Sequence, residues 1–222
     1  MQEIKVLVQT GGYDKAIEYM DNTHFHRQEG AEQLHGQHVT AHILRAKRSL
    51  SDGAHDRAVE DMLMADTYPE NHMVGRDTAY GRNPQIYYYT GLAYELAGDK
   101  KLAKEYLNMT VNATSRDPES QYYKAMAYQK LKKNKAAEPL LDELIRLGEE
   151  RLESSAEVDF FAKFGNEQTD DQRKANAYYL MGLGYMGKAE TALAKEYFEK
   201  SASLDVSQLW ARIYLEELTT GH

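Results

Sequence analysis

The chain has 222 residues, 42% of them hydrophobic, no cysteine and a formal net charge of −8, with a mean hydropathy of −0.71. Lacking cysteine, it has no disulfide, thiolate metal site or cysteine nucleophile. Its acidic balance disfavours nucleic acid and anionic membrane, whose phosphates are held by Lys and Arg releasing counterions. No window of 18 apolar residues is present, so no membrane insertion is expected. A chain this polar folds most readily around a thin apolar layer, as in a repeat stack.

Five segments in chain order share one spacing, with anchors at offsets 0, 3, 7, 12 and 16. The first supplies a half copy, Gly11, Ala16 and Met20, which places its first anchor at Ile4. The second carries Ala46, Ser49, Gly53, Ala58 and Met62, and the third Gly91, Tyr94, Gly98, Ala103 and Leu107. The fourth carries Ala125, Tyr128, Lys132, Ala137 and Leu141, and the fifth Gly182, Tyr185, Ala189, Ala194 and Phe198. The spacing fits a pair of packed helices. A small first anchor lets the second helix approach, and the residue three later shares its helix face. The third anchor ends the first helix. The small Ala at offset 12 opens a contact on the second helix, and the large residue at offset 16 plugs the interface.

These anchors, with the segments YYYTGLAYELAGDKKLAKEYL and AYYLMGLGYMGKAETALAKEYF, resemble the tetratricopeptide repeat (TPR). The resemblance implies an all-α, right-handed superhelical solenoid of about five helical hairpins in a single domain. The hairpins are expected over residues 1–22, 38–67, 84–115, 118–153 and 175–205. SQLWARIYLEEL follows as a capping helix over 207–218, with Leu209, Ile213 and Leu218 on its inner side. The anchors at 4, 46, 91, 125 and 182 are 42, 45, 34 and 57 residues apart. Against a period of ~34, three gaps carry about 8, 11 and 23 extra residues. All three excesses fall between hairpins, so the inserted segments should emerge on one edge.

The segments HFHRQEGAEQLHGQH, YPENHMVGRD and DFFAKFG are similar to the TPR tail of bacterial multidomain proteins that carry a domain of unknown function. That resemblance implies a longer parent protein with a separate, β-rich N-terminal domain and a looser link to carbohydrate use. It leaves the compartment open. A cytoplasmic location is favoured for this segment, with a periplasmic or exported parent as the alternative.

Two groups of residues are candidates for function. On the insertion edge lie His24, His26, Glu29, His35, Arg76 and Arg82. His35, His38 and His42 are spaced to share one helix face, but no accompanying Glu pattern supports a metal, and none is expected. Arg76 and Arg82 could pair with Glu29 or Glu32, or with an anionic ligand. In the groove that the TPR resemblance implies, Tyr88, Tyr122 and Tyr179 each precede a first anchor by three residues. In register they could form an aromatic stripe that grips a peptide or stacks on a sugar. Alternatively, each tyrosine doublet puts one ring in the core and leaves the other half-exposed. GLGYMG, from Gly182 to Gly187, spells G-x-G-x-x-G but lies within a helical pattern, whereas a dinucleotide loop must follow a strand.

No catalytic constellation and no cofactor emerge. The reading is a non-catalytic interaction module that binds a protein partner or another domain of its parent. The alternative is an accessory part of a carbohydrate-active enzyme, contributing ligand-contacting loops. Self-association as a homodimer is a further expectation to test.

Overall fold

The computed structural model describes residues 1–25, 31–75, 81–154 and 169–220. Among them are eleven α-helices and no strand. They are α1 (Gln2–Gln9), α2 (Tyr13–Asn22), α3 (Ala31–Ser51), α4 (His55–Ala65), α5 (Asn83–Leu96) and α6 (Lys100–Asn112). α7 (Ser120–Lys130), α8 (Asn134–Ser154), α9 (Asp170–Gly187), α10 (Thr191–Leu204) and α11 (Leu209–Thr220) follow. A 3₁₀ turn, Glu70–His72, lies between α4 and α5. The chain divides into two compact units, Met1–Tyr123 and Lys124–His222.

The turn inside each hairpin follows one rule five times. The residue at offset 7 is left-handed in every copy: Gly11 (φ 82°), Gly53 (74°), Gly98 (89°), Lys132 (60°) and Ala189 (60°). The next amide then reaches back five residues to a carbonyl. The bonds are Gly12 to Leu7 (2.8 Å), Ala54 to Ser49 (2.8 Å), Asp99 to Tyr94 (2.9 Å), Lys133 to Tyr128 (2.8 Å) and Glu190 to Tyr185 (2.9 Å). This is a Schellman closure, which satisfies carbonyls that the ending helix leaves open. Three copies use glycine, which adopts this conformation without a Cβ penalty.

Packing follows the anchors. A Cβ on Gly91 would lie 3.2 Å from Leu107 Cγ, and one on Gly182 only 2.6 Å from the Phe198 ring. The offset-16 side chain therefore fills the space left by the small first anchor. In the first unit α2 packs on α3 and α4 on α5, so the hairpins adjoin in sequence order. In the second unit α9 packs against both α8 and α10, and α10 against α11.

The α8–α9 interface depends on glycines outside the anchor pattern. A Cβ on Gly148 would sit 2.4 Å from Met181 Cγ and 2.7 Å from the Ala177 carbonyl oxygen. On Gly184 it would sit 2.5 Å from Ile145 Cγ1 and 2.9 Å from the Leu141 carbonyl oxygen. The G-x-G-x-x-G run thus lies wholly within α9, where its glycines serve helix contact.

The extra residues between hairpins are partly helix rather than loop. α3 begins at Ala31, seven residues before the expected start at 38, and runs 21 residues. α9 begins at Asp170 rather than 175 because Thr169 caps it. Thr169 Oγ1 accepts from the Gln172 amide at 3.2 Å, and Gln172 Oε1 accepts from the Thr169 amide at 3.0 Å. This reciprocal capping box closes two open donors. The capping helix forms, but its buried residues are Ala211 and Tyr214. The expected inner residues Leu209, Ile213 and Leu218 are only half-buried. Tyr214 sets the facing: its ring lies 5.6 Å from Phe198, the plug of the fifth hairpin.

Candidate functional site

The first unit holds two polar constructions. One is a seam across the first helices of its hairpins. Arg82 Nη1 donates to Thr40 Oγ1 at 2.7 Å and to the Gly36 carbonyl at 3.1 Å, both on α3. Arg82 Nε donates to Gln85 Oε1 at 2.7 Å, at the start of α5. Gln85 Nε2 donates to Tyr123 Oη at 2.6 Å, and Tyr123 Oη donates to Glu119 Oε1 at 2.9 Å. Thr40, Gln85 and Glu119 each precede a first anchor by six residues, so the seam follows the repeat register. Thr40, Gln85 and Tyr123 are buried, and Arg82 and Glu119 on either side of the Gln85–Tyr123 pair are half-buried. A small cleft beside the seam is lined by Arg82, Gln85, Asp117, Glu119, Ser120 and Tyr123 among others.

The other construction is the histidine face of α3. His35, His38 and His42 do share one side of this helix. His38 and His42 are buried, at 0% and 2% exposure, and their ring centroids are 4.6 Å apart. His72, from the 3₁₀ turn, is also buried and lies 5.1 Å from His38. His35 stacks on Tyr68 at 3.9 Å. His38 Nε2 donates to the Met64 carbonyl at 3.0 Å, which leaves its Nδ1 as an acceptor. Burial, with His42 close by, pushes His38 down to about 3. Burial also lowers His72, although the Asp21 carboxylate and the Met20 carbonyl pull the other way.

Beside this face, His42 Nδ1 donates to Asp61 Oδ1 at 2.9 Å. Arg45 reaches the same carboxylate through Nε and Nη2, the latter at 2.6 Å. Burial works against the charged form of Asp61, but the bonds from His42 and Arg45 outweigh it and hold the carboxyl below its ordinary range. Arg45 Nη1 continues to Asp14 at 3.1 Å, where Arg48 (2.7 Å) and Arg57 (3.3 Å) also converge. These contacts tie α2, α3 and α4 together. Among the described residues no group of three or more His, Asp or Glu side chains is arranged to hold a metal ion. No helix among them is long and apolar enough to cross a membrane.

The two connections of the first unit meet. The Phe25 amide donates to the Asn71 carbonyl at 2.9 Å, and Asn71 Nδ2 donates to the carbonyls of Met20 and Thr23, each at 2.8 Å. His24, in this region, is exposed. His26, Glu29, Arg76 and the segment 159–165 lie outside the described residues. His35 proves to be a helix residue of α3 rather than part of a loop. Arg82 turns to α3 and α5 through Thr40, Gly36 and Gln85.

The expected aromatic stripe requires correction. Tyr88, Tyr122 and Tyr179 are 6%, 6% and 4% exposed, so none offers an open ring face to a sugar or peptide. Tyr88 packs against Tyr89 and Tyr123, Tyr122 against Tyr123, and Tyr179 against Phe198. In the first two doublets both rings are buried, because an aromatic residue of the neighbouring position closes over each. The half-exposed tyrosines lie elsewhere. Tyr87, Tyr94 and Tyr106 form one cluster, with Tyr94 stacked on Tyr106 and Tyr87 tilted against it, and Tyr178, Tyr185 and Tyr197 form a stack in the same register. Their offsets of −4, +3 and +15 from the first anchor could have been read from the sequence. The seam was less legible, since its members Thr40, Gln85 and Glu119 share a position but no residue type.

A tetratricopeptide repeat family model matches residues 175–205. No curated protein matches the chain. Among solved structures, the chain is similar to MamA 41-end from Desulfovibrio magneticus RS-1 and to the MamA RS-1 ArsTM double mutant. Each is 20% identical, over 82% of this chain and 84% of that one, with a TM-score of 0.29. Superposition at that level carries no argument about this protein. The assignment rests on the match at 175–205 and on the left-handed residue and closing bond that recur in all five hairpins. On that evidence residues 175–205 form a tetratricopeptide repeat, and the other four hairpins share its turn.

Proposed function

We propose that the chain is a non-catalytic interaction module, which takes a polypeptide along the first-helix seam of its first unit. That polypeptide is a protein partner or another domain of the parent protein. The observation carrying this reading is the seam itself, Thr40–Arg82–Gln85–Tyr123–Glu119. Gln85 and Tyr123 lock one another inside it, while the half-buried cation Arg82 and carboxylate Glu119 flank them beside a cleft. Such preorganised polar groups suit an extended backbone, because little side-chain freedom remains to be lost on binding.

Capture of binding partners by the full chain tests the proposal. Arg82→Ala and Glu119→Gln should each weaken capture about tenfold, the loss expected when one charged hydrogen bond of ~1.4 kcal/mol is removed. Lys200→Ala, on α10, should leave it unchanged. Equal capture by all three variants would remove the seam from consideration.

A further inference from the structure

We propose that His38 and His72, which pack beside His42, form an acid-operated latch, which holds the turn Glu70–His72 against the first unit at neutral pH and releases it on acidification. The inference is independent of the partner proposed above. It rests on unpartnered atoms rather than on the seam.

Among the described residues, His38 Nδ1, His42 Nε2 and both ring nitrogens of His72 are buried without a hydrogen-bonding partner. A neutral imidazole tolerates this, because a bare ring nitrogen costs less to bury than a charge. A proton added to His38 Nδ1 creates an N–H donor with no acceptor waiting, and at His72 the nearby Met20 carbonyl already accepts from Asn71. Protonation also places positive charges on rings whose centroids are 5.1 Å apart.

The surroundings do not relieve that charge on His38. On its own helix it faces His35 and His42. From α4 it meets the Met64 carbonyl, already bonded at 3.0 Å and shared with Thr67 Oγ1 at 2.7 Å. The nearby Asp61 carboxylate is occupied by His42 and Arg45. His72 faces Asp21 and the Met20 carbonyl on α2, His42 on α3 and the edge of the Phe25 ring. Burial outweighs Asp21 there.

The turn is the element that can yield. α3 and α4 are held by the Asp61 and Asp14 networks, whereas the turn is three residues long and ends in Met73 at φ 55°. It is fastened by the Phe25–Asn71 backbone bond and by the Asn71 side chain. Lifting it exposes His72 to water and opens one side of His38.

The sign follows from linkage. The open form takes up a proton near the ordinary histidine value, whereas burial in the closed form pushes His38 down to about 3 and lowers His72, so falling pH favours opening. For one imidazole with an open-form value of about 6.5, moving to pH 5.0 favours opening by about 30-fold.

Amide hydrogen exchange of the full chain at pH 7.5 and pH 5.0, corrected for intrinsic rates, tests the latch. Protection of residues 69–73 and of Phe25 should fall by about 30-fold or more at pH 5.0, while α9 and α10 keep theirs. His72→Phe, which retains an aromatic edge for Phe25, should keep the turn protected at pH 5.0. Histidine ring NMR on the unmodified chain provides a second measurement that needs no variant. The His38 and His72 rings should protonate together with the shift of the turn amides. Unchanged protection at pH 5.0, or ring protonation with the turn amides unmoved, would overturn the proposal.

Discussion

His42 and Asp61 are hydrogen-bonded at 2.9 Å inside the second hairpin, at the two positions where the third hairpin places Tyr87 and Tyr106. Each pair stands four residues before and fifteen after its first anchor. Tyr178 and Tyr197 repeat the tyrosine version in the fifth hairpin. The same inter-helix site is thus filled by a pair of half-exposed tyrosine rings in two hairpins and by a buried ionic contact in one. The substitution makes the second hairpin depend on a satisfied carboxylate.

Asp61→Ala should therefore lower stability by about 3 kcal/mol, the lower end for breaking a buried pair. It leaves His42 Nδ1 and Arg45 Nε without their acceptor. Urea unfolding followed by circular dichroism measures it. Because the folded state holds Asp61 below the ordinary carboxylate range, its contribution is present above that range and is lost as pH falls through the folded value. The difference between native chain and variant should accordingly shrink in acid.

Gly98→Ala should cost about 1 kcal/mol. Gly98 sits at φ 89° with open space around its Cα, so the penalty is conformational rather than steric. Lys132 and Ala189 already bear this strain at φ 60°. Ala189→Gly should be neutral to stabilising by about 0.5 kcal/mol, since relieved strain is partly offset by the freedom glycine gains in the unfolded chain. Thermal unfolding of both variants reads the opposite signs.

These turns were the most legible feature of the chain. Gly11, Gly53 and Gly98 announce themselves by residue type, and Lys132 and Ala189 follow only because the anchors around them keep the register. The length of α3 was hidden, because the histidine-rich stretch before His42 has no regular apolar face to mark it as helix. The burial of Tyr88, Tyr122 and Tyr179 was hidden for another reason. Spacing assigns a residue to a helix face, but the aromatic neighbour that closes over it comes from adjacent residues and other helices. The facing of α11 likewise depends on where Phe198 offers contact to Tyr214.

Gly148→Ala should destabilise the second unit by about 1–3 kcal/mol through overpacking. The added methyl would meet the Ala177 carbonyl oxygen at 2.7 Å, and backbone cannot step aside as a side chain can. Gly36→Ala, inside α3 with nothing within 4 Å, should instead be neutral to stabilising because alanine favours helix over glycine, and an equal loss there would show that the close approach of α8 to α9 is not the cause.

Thr169→Ala should shorten α9 from its N-terminus and cost about 1 kcal/mol. The Gln172 amide and the Thr169 amide both lose reciprocal partners if the box opens. Hydrogen exchange confined to residues 169–174 would register the fraying.

The central claim is that the first-helix seam takes a polypeptide. Site-specific photo-crosslinking tests it most directly, with a photoreactive phenylalanine derivative replacing Ser115 in the cleft beside the seam or Glu105 on the exposed side of α6. The account predicts adducts to a polypeptide from position 115 and none from position 105. Equal adducts from both positions, or adducts from Glu105 alone, would contradict it.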